Sequence, residues 1–185
     1  MRPIRFACRE TLPEPPEQVA RQILDLDQWP GFRGFGPLSG IRAASFEART
    51  PEVVGTRIRV ENTDGSTHVE EVVEWEPGRR IRLRMGEFTP PLSRLASGFD
   101  ETWEFAPSGP ETYVVRSFEM HPRSAWTRPA LWLISILLER AIARHLRQMK
   151  DALSGTTALI ASLRAPGGGG SGGPSPPWSS PSASG

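Results

Sequence analysis

"EEVVEWEPGRRIRLRM", residues 70–85, decides the fold. Apolar and charged residues alternate on both sides of Glu76-Pro77-Gly78-Arg79, and that tetrapeptide reads as a tight turn. Two strands joined so closely must lie antiparallel. The alternation gives the hairpin two unlike faces. Val73, Trp75, Ile81, Leu83 and Met85 fall on the inner one, Glu70, Glu74, Arg80, Arg82 and Arg84 on the outer one.

The same signals recur outward in both directions. Asp64-Gly65 in "NTDGST" (62–67) is a hairpin signal, and "APSGPE" (106–111) is a third turn. Strands are predicted over about 38–48, 54–62, 67–76, 79–86, 99–107 and 111–120, a serial antiparallel meander. Residues 3–12 form a further strand, with Ile4, Phe6, Cys8 and Leu12 on one side. After it "LPEPPEQVARQILDLDQWP" reads as a turn and two short helices, with Pro15 and Pro16 suited to a first turn and Val19, Ile23, Leu24 and Leu26 as the apolar stripe. Ser124 to Leu153 has helical period: Leu131, Ile134, Leu138, Ile142, Met149 and Leu153 lie near one face, Arg140, Arg144, Arg147 and Asp151 on the other.

Carried along the meander, the alternation adds Ile58, Val69, Phe99, Trp103 and Phe105 to the inner face. The outer face gains Arg57, Arg59, His68, Asp100, Glu104 and Arg116. Basic and acidic strands are then neighbours, and cross-strand pairs help fix register. This accounts for most of the arginines. Net charge is +1, from 22 basic and 21 acidic residues. Interleaved charges and a balanced total argue against a nucleic-acid surface. Two carboxylates are left facing inward, Glu71 between Val69 and Val73, and Glu101 between Phe99 and Trp103; Glu119 is a candidate third. A charge in an apolar interior is costly unless it meets a partner, a water or a ligand. A wet or ligand-filled cavity has a use for such groups. A bulge that turned them outward would remove the need for one.

Other chemistry is missing from the sequence. "GFGPLSG" (34–40) lacks the third glycine and the following helix of a dinucleotide loop, and there is no P-loop, GxSxG or HExxH. His68, His121 and His145 are scattered, and one cysteine, Cys8, makes neither a disulfide framework nor a zinc site. No metal and no cofactor is expected. The apolar run near 130–138 is too short to span a bilayer, which takes about 20 residues, and the charged N-terminus does not fit a signal peptide. A cytoplasmic location is expected. Residues 165–185 hold seven Gly, six Ser, five Pro and no charge, and are expected to be a disordered tail.

The order strand, two short helices, meander and long C-terminal helix resembles the SRPBCC or START-like superfamily, in particular polyketide cyclase/dehydrase-type proteins. The likeness is carried by "IRFACRETLPEPPEQVARQILDLDQWPGF", "EEVVEWEPGRRIRLRM", "GFDETWEFAPSGPETYVVRSFEM" and the helix from Pro129 to Leu153. It implies an α+β helix-grip fold over residues 1–154. About seven curved antiparallel strands would wrap around the C-terminal helix, with 155–164 as a helix extension or linker. The resemblance also implies a cavity between sheet and helix. The expected ligand-binding residues are Phe6, Phe35, Val73, Trp75, Leu83, Met85, Phe88, Leu92, Phe99, Trp103, Tyr113, Ile134, Leu138 and Ile142. Two loops, "WPGFRGFGP" (29–37) and "GEFTPPLSRLASG" (86–98), should frame its mouth.

Three functions remain open at this stage. The first is binding, or transport, of a small hydrophobic molecule such as a lipid, isoprenoid or polyketide. The second is a cyclase or dehydratase using Glu71, Glu101, and His145 or Tyr113, as acid–base groups. The third is a protein-interaction module. "ALWLISILLE" (130–139) is apolar nearly all round, so Trp132, Leu133, Ile136 and Leu137 need a second explanation. With Trp126 they suit a homodimer contact or a transient membrane-surface contact.

Overall fold

Seven antiparallel strands and a long helix follow one another as the alternation requires. The structure is a computed structural model that describes residues 2–164, with side chains through 155. The expected tail, 165–185, lies outside the described residues. The strands are β1 (Ile4–Leu12), β2 (Ile41–Ala48), β3 (Arg57–Asn62), β4 (Thr67–Glu76), β5 (Arg80–Gly86), β6 (Ala96–Ser108) and β7 (Glu111–Pro122). They form one sheet in the order β1-β7-β6-β5-β4-β3-β2, curved and open. Only the step from β1 to β2 leaves the meander. It carries α1 (Pro16–Ile23) and a 3-10 turn at Leu26–Gly31, the two short helices expected there.

Local chemistry places each connection. Pro16 starts α1, where a missing N–H is harmless, and Val19, Ala20 and Ile23 bury its apolar face. Trp29 Nε1 donates to Ile23 O at 3.0 Å and folds the 3-10 turn back on the helix. Gly65 supplies the positive φ of +83° that the β3–β4 hairpin needs. Gly34 is more constrained: a Cβ there would sit 2.1 Å from Leu38 O, where the loop before β2 closes on itself. The helix α3 (Arg128–Arg164) starts after a turn in which Ser124 and Thr127 exchange side-chain and backbone hydrogen bonds. Its 37 residues give a rod of about 55 Å at 1.5 Å per residue. Leu131, Ile142 and Leu146 are at most 1% exposed, and burying each such side chain stabilises the fold by about 1.5–3 kcal/mol. The rod packs chiefly against β1.

The outer face bears a ladder of charges, as expected, though not every member is the one expected. Arg57, Glu71, Arg84, Asp100, Glu119 and Arg5 stand in register across six strands. Arg5 meets Glu119 at 2.9 Å and Arg84 meets Asp100 at 3.5 Å, while Glu47 takes both Arg57 and Arg59. Exposed pairs of this kind set register more than they add stability.

Several face assignments differ from the expectation, those on β4 because of a local irregularity. A β-bulge lies between Val72 and Glu74. Downstream of it Trp75 keeps its expected inner face, opposite Ile81, but upstream the count shifts by one. Glu70 therefore opposes Met85 and Ile58 on the inner face, and Glu71 opposes Arg84 and Arg57 on the outer one. His68, two residues before Glu70, turns inward with it. On β7 the inner residues are Thr112, Val114, Arg116, Phe118 and Met120, so Arg116 faces the core. Glu119 faces out to Arg5.

Candidate functional site

A cavity of about 1160 Å³ lies between the sheet, α3 and the two loops. The wall is largely apolar. Leu83, Met85, Phe88, Leu92, Phe99, Trp103, Ile134, Leu138 and Ile142, nine of the expected ligand-binding residues, line it. Phe88 stands over Phe99 with centroids 4.8 Å apart, and Leu92, on α2 (Leu92–Leu95), closes the same side. Both expected loops contribute, the first through Trp29, Phe32, Arg33 and Pro37.

The other five expected residues lie elsewhere. Phe6 is on the inner face but stacks on Phe118 at 5.1 Å, outside the lining. Phe35 turns onto α3, its ring beneath Arg140 and Arg144 at 5.8 and 5.5 Å. Arg144 also donates to Gly34 O, tying the loop to the rod. Val73 sits at the bulge, half-buried, and Trp75 packs at the edge of the core. Tyr113 is 39% exposed, in register with Thr11 and Ala106 on the face away from the cavity.

Buried charge enters the apolar wall at one place. Glu101, on β6, is 1% exposed, and Arg116, on the neighbouring strand β7, donates from Nε to its Oε1. The guanidinium lies 4.4 Å from the Trp103 ring and 5.4 Å from the Phe118 ring, so aromatic faces cover it. From α3, His145 presents Nδ1 to Arg116 Nη1 at 3.3 Å, and Phe32 meets its ring edge-on at 5.8 Å. An arginine can only donate, so Nδ1 is the acceptor and the neutral ring carries its proton on Nε2. Burial, helped by Arg116, lowers the His145 pKa to about 4 and keeps the ring neutral. Burial also pushes the Glu101 carboxyl up, opposed by Arg116 and reinforced by Glu70. The Trp103 indole N–H is buried without a hydrogen bond of normal geometry, although it lies close enough to Glu101 to favour the ionised carboxylate. Glu70, 5% exposed, lines the cavity beside this group and holds His68 Nε2 at 3.1 Å.

Of the expected acid–base residues, the fold brings Glu101 and His145 together, and leaves Glu71 on the opposite face and Tyr113 on the side away from the cavity. Arg116, Glu70 and His68 were not expected. The signal for Arg116 was available: Phe118 and Met120 are the strongest apolar pair on β7, and they share its parity. Cys8 is buried, donates weakly to Glu139 O at 3.4 Å, and its thiol pKa is raised by burial. Among the described residues no three His, Cys, Asp or Glu gather as a metal site, and no helix is long and apolar enough to cross a membrane.

The sequence model of the family described as "Polyketide cyclase / dehydrase and lipid transport" matches residues 4–154. The chain belongs to this family. Its fold is that of the START-like, or SRPBCC, proteins. Among solved structures, TTHA0849 from Thermus thermophilus is 19% identical with a TM-score of 0.63, over 83% of this chain and 99% of that one. A START superfamily protein from Mycobacterium smegmatis is 12% identical with a TM-score of 0.62, over 80% and 98%. The di-domain ARO/CYC StfQ from the steffimycin biosynthetic pathway is 15% identical with a TM-score of 0.65, over 85% of this chain and 53% of that one. Identities this low establish shared architecture, and a cyclase/dehydrase-family fold hosts different chemistries. No curated protein sequence matches the chain.

Proposed function

We propose that the chain binds, and carries, one small hydrophobic molecule in the cavity, with the Glu101–Arg116–His145 group orienting its polar end. The observation that supports this most is the combination of a 1160 Å³ space with an apolar wall and a single buried polar cluster. Sites for small molecules have this make-up: apolar lining for affinity and a few fixed polar groups for orientation. Titration with Nile red, an uncharged hydrophobic dye, tests it. Saturable one-to-one enhancement of dye fluorescence is expected. Enhancement that rises without saturation would overturn the reading.

The polar cluster favours a second reading, a cyclase or dehydratase with Glu101 and His145 as acid–base groups. Burial moves Glu101 in the direction a general acid requires, while Arg116 beside it favours the ionised form and works against it. Turnover of a polyketide-like ketone, lost in Glu101→Gln, would establish this reading in place of the first.

The start of α3 supports an anionic lipid surface as the place of exchange. Trp126 is 94% exposed, Trp132 58% and Leu133 56%, and Leu133 also belongs to the cavity lining. Between Met120 and Leu138, and between Phe88 and Phe99, the only charged residues are Arg94, Arg123 and Arg128, all exposed. Arg123 ties the two segments together through Leu95 O and Ser93 O. Apolar side chains flanked only by arginines suit an anionic bilayer better than a second copy of the same cationic face. Co-sedimentation with phosphatidylglycerol vesicles, weakened in Trp126→Ala, is the expected result. A dimer in light scattering with no sedimentation would show a protein contact instead. A cytoplasmic location belongs to the same proposal and is open to cell fractionation.

A further inference from the structure

Among the described residues the cavity holds no unpaired cation in its interior. Its two basic residues are Arg33, exposed in the first loop at the rim, and Arg116. The charge of Arg116 is compensated: Nε serves the Glu101 carboxylate and Nη1 serves His145, the Trp103 and Phe118 rings lie 4.4 and 5.4 Å from Cζ, and Nη2 is left with N–H donors but no unpaired charge. Against it stand two buried carboxylates, Glu70 and Glu101. The rim adds Asp25 and Asp64, both exposed. A carboxylate or phosphate carried into this space would lose its water and meet acids, while the charge of the one buried cation is already balanced by Glu101. An uncharged oxygen finds better company. Glu70 and Glu101 accept from a hydroxyl. His145 Nε2–H, which has no hydrogen bond among the described residues, is a donor for a carbonyl or ether oxygen.

We infer that the cavity selects uncharged hydrophobic molecules bearing hydroxyl or carbonyl oxygen and rejects anionic amphiphiles such as fatty acids, with Glu101 as the residue that sets this preference by occupying Arg116. The inference rests on the hydrophobic-ligand reading and adds charge selection to it. It differs from the usual arrangement for an acid ligand, where a buried arginine is left free for the incoming carboxylate.

The test is displacement of Nile red by dodecanol and by dodecanoate, which share one chain length, at a pH where dodecanoate is ionised. Dodecanol is expected to displace at concentrations at least about tenfold lower. Intrinsic hydration also favours the alcohol, so the decisive quantity is how the ratio of the two changes between variants. Glu101→Gln releases Arg116 and is expected to shift the ratio toward dodecanoate by about tenfold or more. Glu70→Gln, which removes one acid and leaves Arg116 engaged, is expected to shift it the same way by less, and it serves if Glu101→Gln does not fold by circular dichroism. A ratio unchanged within about twofold in a folded variant, or dodecanoate displacing as well as dodecanol from the wild-type chain, overturns the inference and leaves hydrophobic binding standing. Failure of Nile red and both competitors to bind would instead remove the hydrophobic-ligand reading itself.

Discussion

Replacing Arg116 with methionine would leave the Glu101 carboxylate at 1% exposure with no cation beside it. Methionine keeps much of the side-chain volume, so the change is mainly one of charge. Breaking a buried pair from one side costs about 3–5 kcal/mol, because the remaining ion is left desolvated. For a domain of this size that is a fall in melting temperature on the order of 10 °C. Glu101 can escape part of the cost by taking a proton. Its folded pKa already lies above its ordinary value, and losing Arg116 moves it further in that direction. A raised acid contributes stability that is fully present below its ordinary pKa and is lost as pH rises through the folded one. The penalty of Arg116→Met should therefore be larger at about pH 8 than at about pH 5. Adding Glu101→Leu should restore most of the loss, since a buried pair replaced as a pair by apolar groups is often neutral or better. Urea and thermal unfolding followed by circular dichroism, on wild type, both single variants and the double, form a complete cycle. A single Arg116→Met variant as stable as wild type, or a double variant no better than the single, would refute the claim that these two groups form one buried ion pair.

Two further predictions concern neighbouring groups. His145 has a folded pKa of about 4 against an ordinary 6.5, so the unfolded chain binds more protons between those values. Its contribution is full above about 6.5 and is lost as pH falls toward 4, about 3 kcal/mol in all. His145→Gln, whose carbonyl still accepts from Arg116, should flatten that part of the stability–pH curve; an unchanged slope would place the titration elsewhere. Glu71→Gln, on the outer face, should leave Nile red affinity unaltered, whereas Glu70→Gln should change it; the reverse result would mean that the β4 bulge is misplaced.

Architecture was legible in the sequence because turns and alternation are local signals. Asp64-Gly65 and Glu76-Pro77-Gly78-Arg79 each fix a hairpin from four to six residues, and serial hairpins admit few arrangements. The floor of the cavity was less legible. A two-residue period carried through an unseen bulge reverses every face on its far side. That single extra residue exchanged Glu71 for Glu70 and sent His68 inward, while Trp75, beyond the bulge, kept its expected inner face opposite Ile81. Arg116 was missed for another reason. Val114 and Val115 are both apolar, so β7 offers two phases, and the arginine made the outward one look natural. Only its contact with Glu101, from a different strand, explains why a charge belongs inside. The first loop shows the remaining limit. Phe35 had the composition of a lining residue, but its position depends on Arg144, more than a hundred residues away along the chain.

Native mass spectrometry of the freshly purified chain bears most directly on whether the hollow beneath α3 is a ligand chamber. A one-to-one adduct of an uncharged hydrophobic compound should survive transfer to the gas phase and be recovered unchanged by organic extraction. A chain that carries nothing from the cell, and takes up neither dodecanol nor Nile red when offered in excess, would contradict the account.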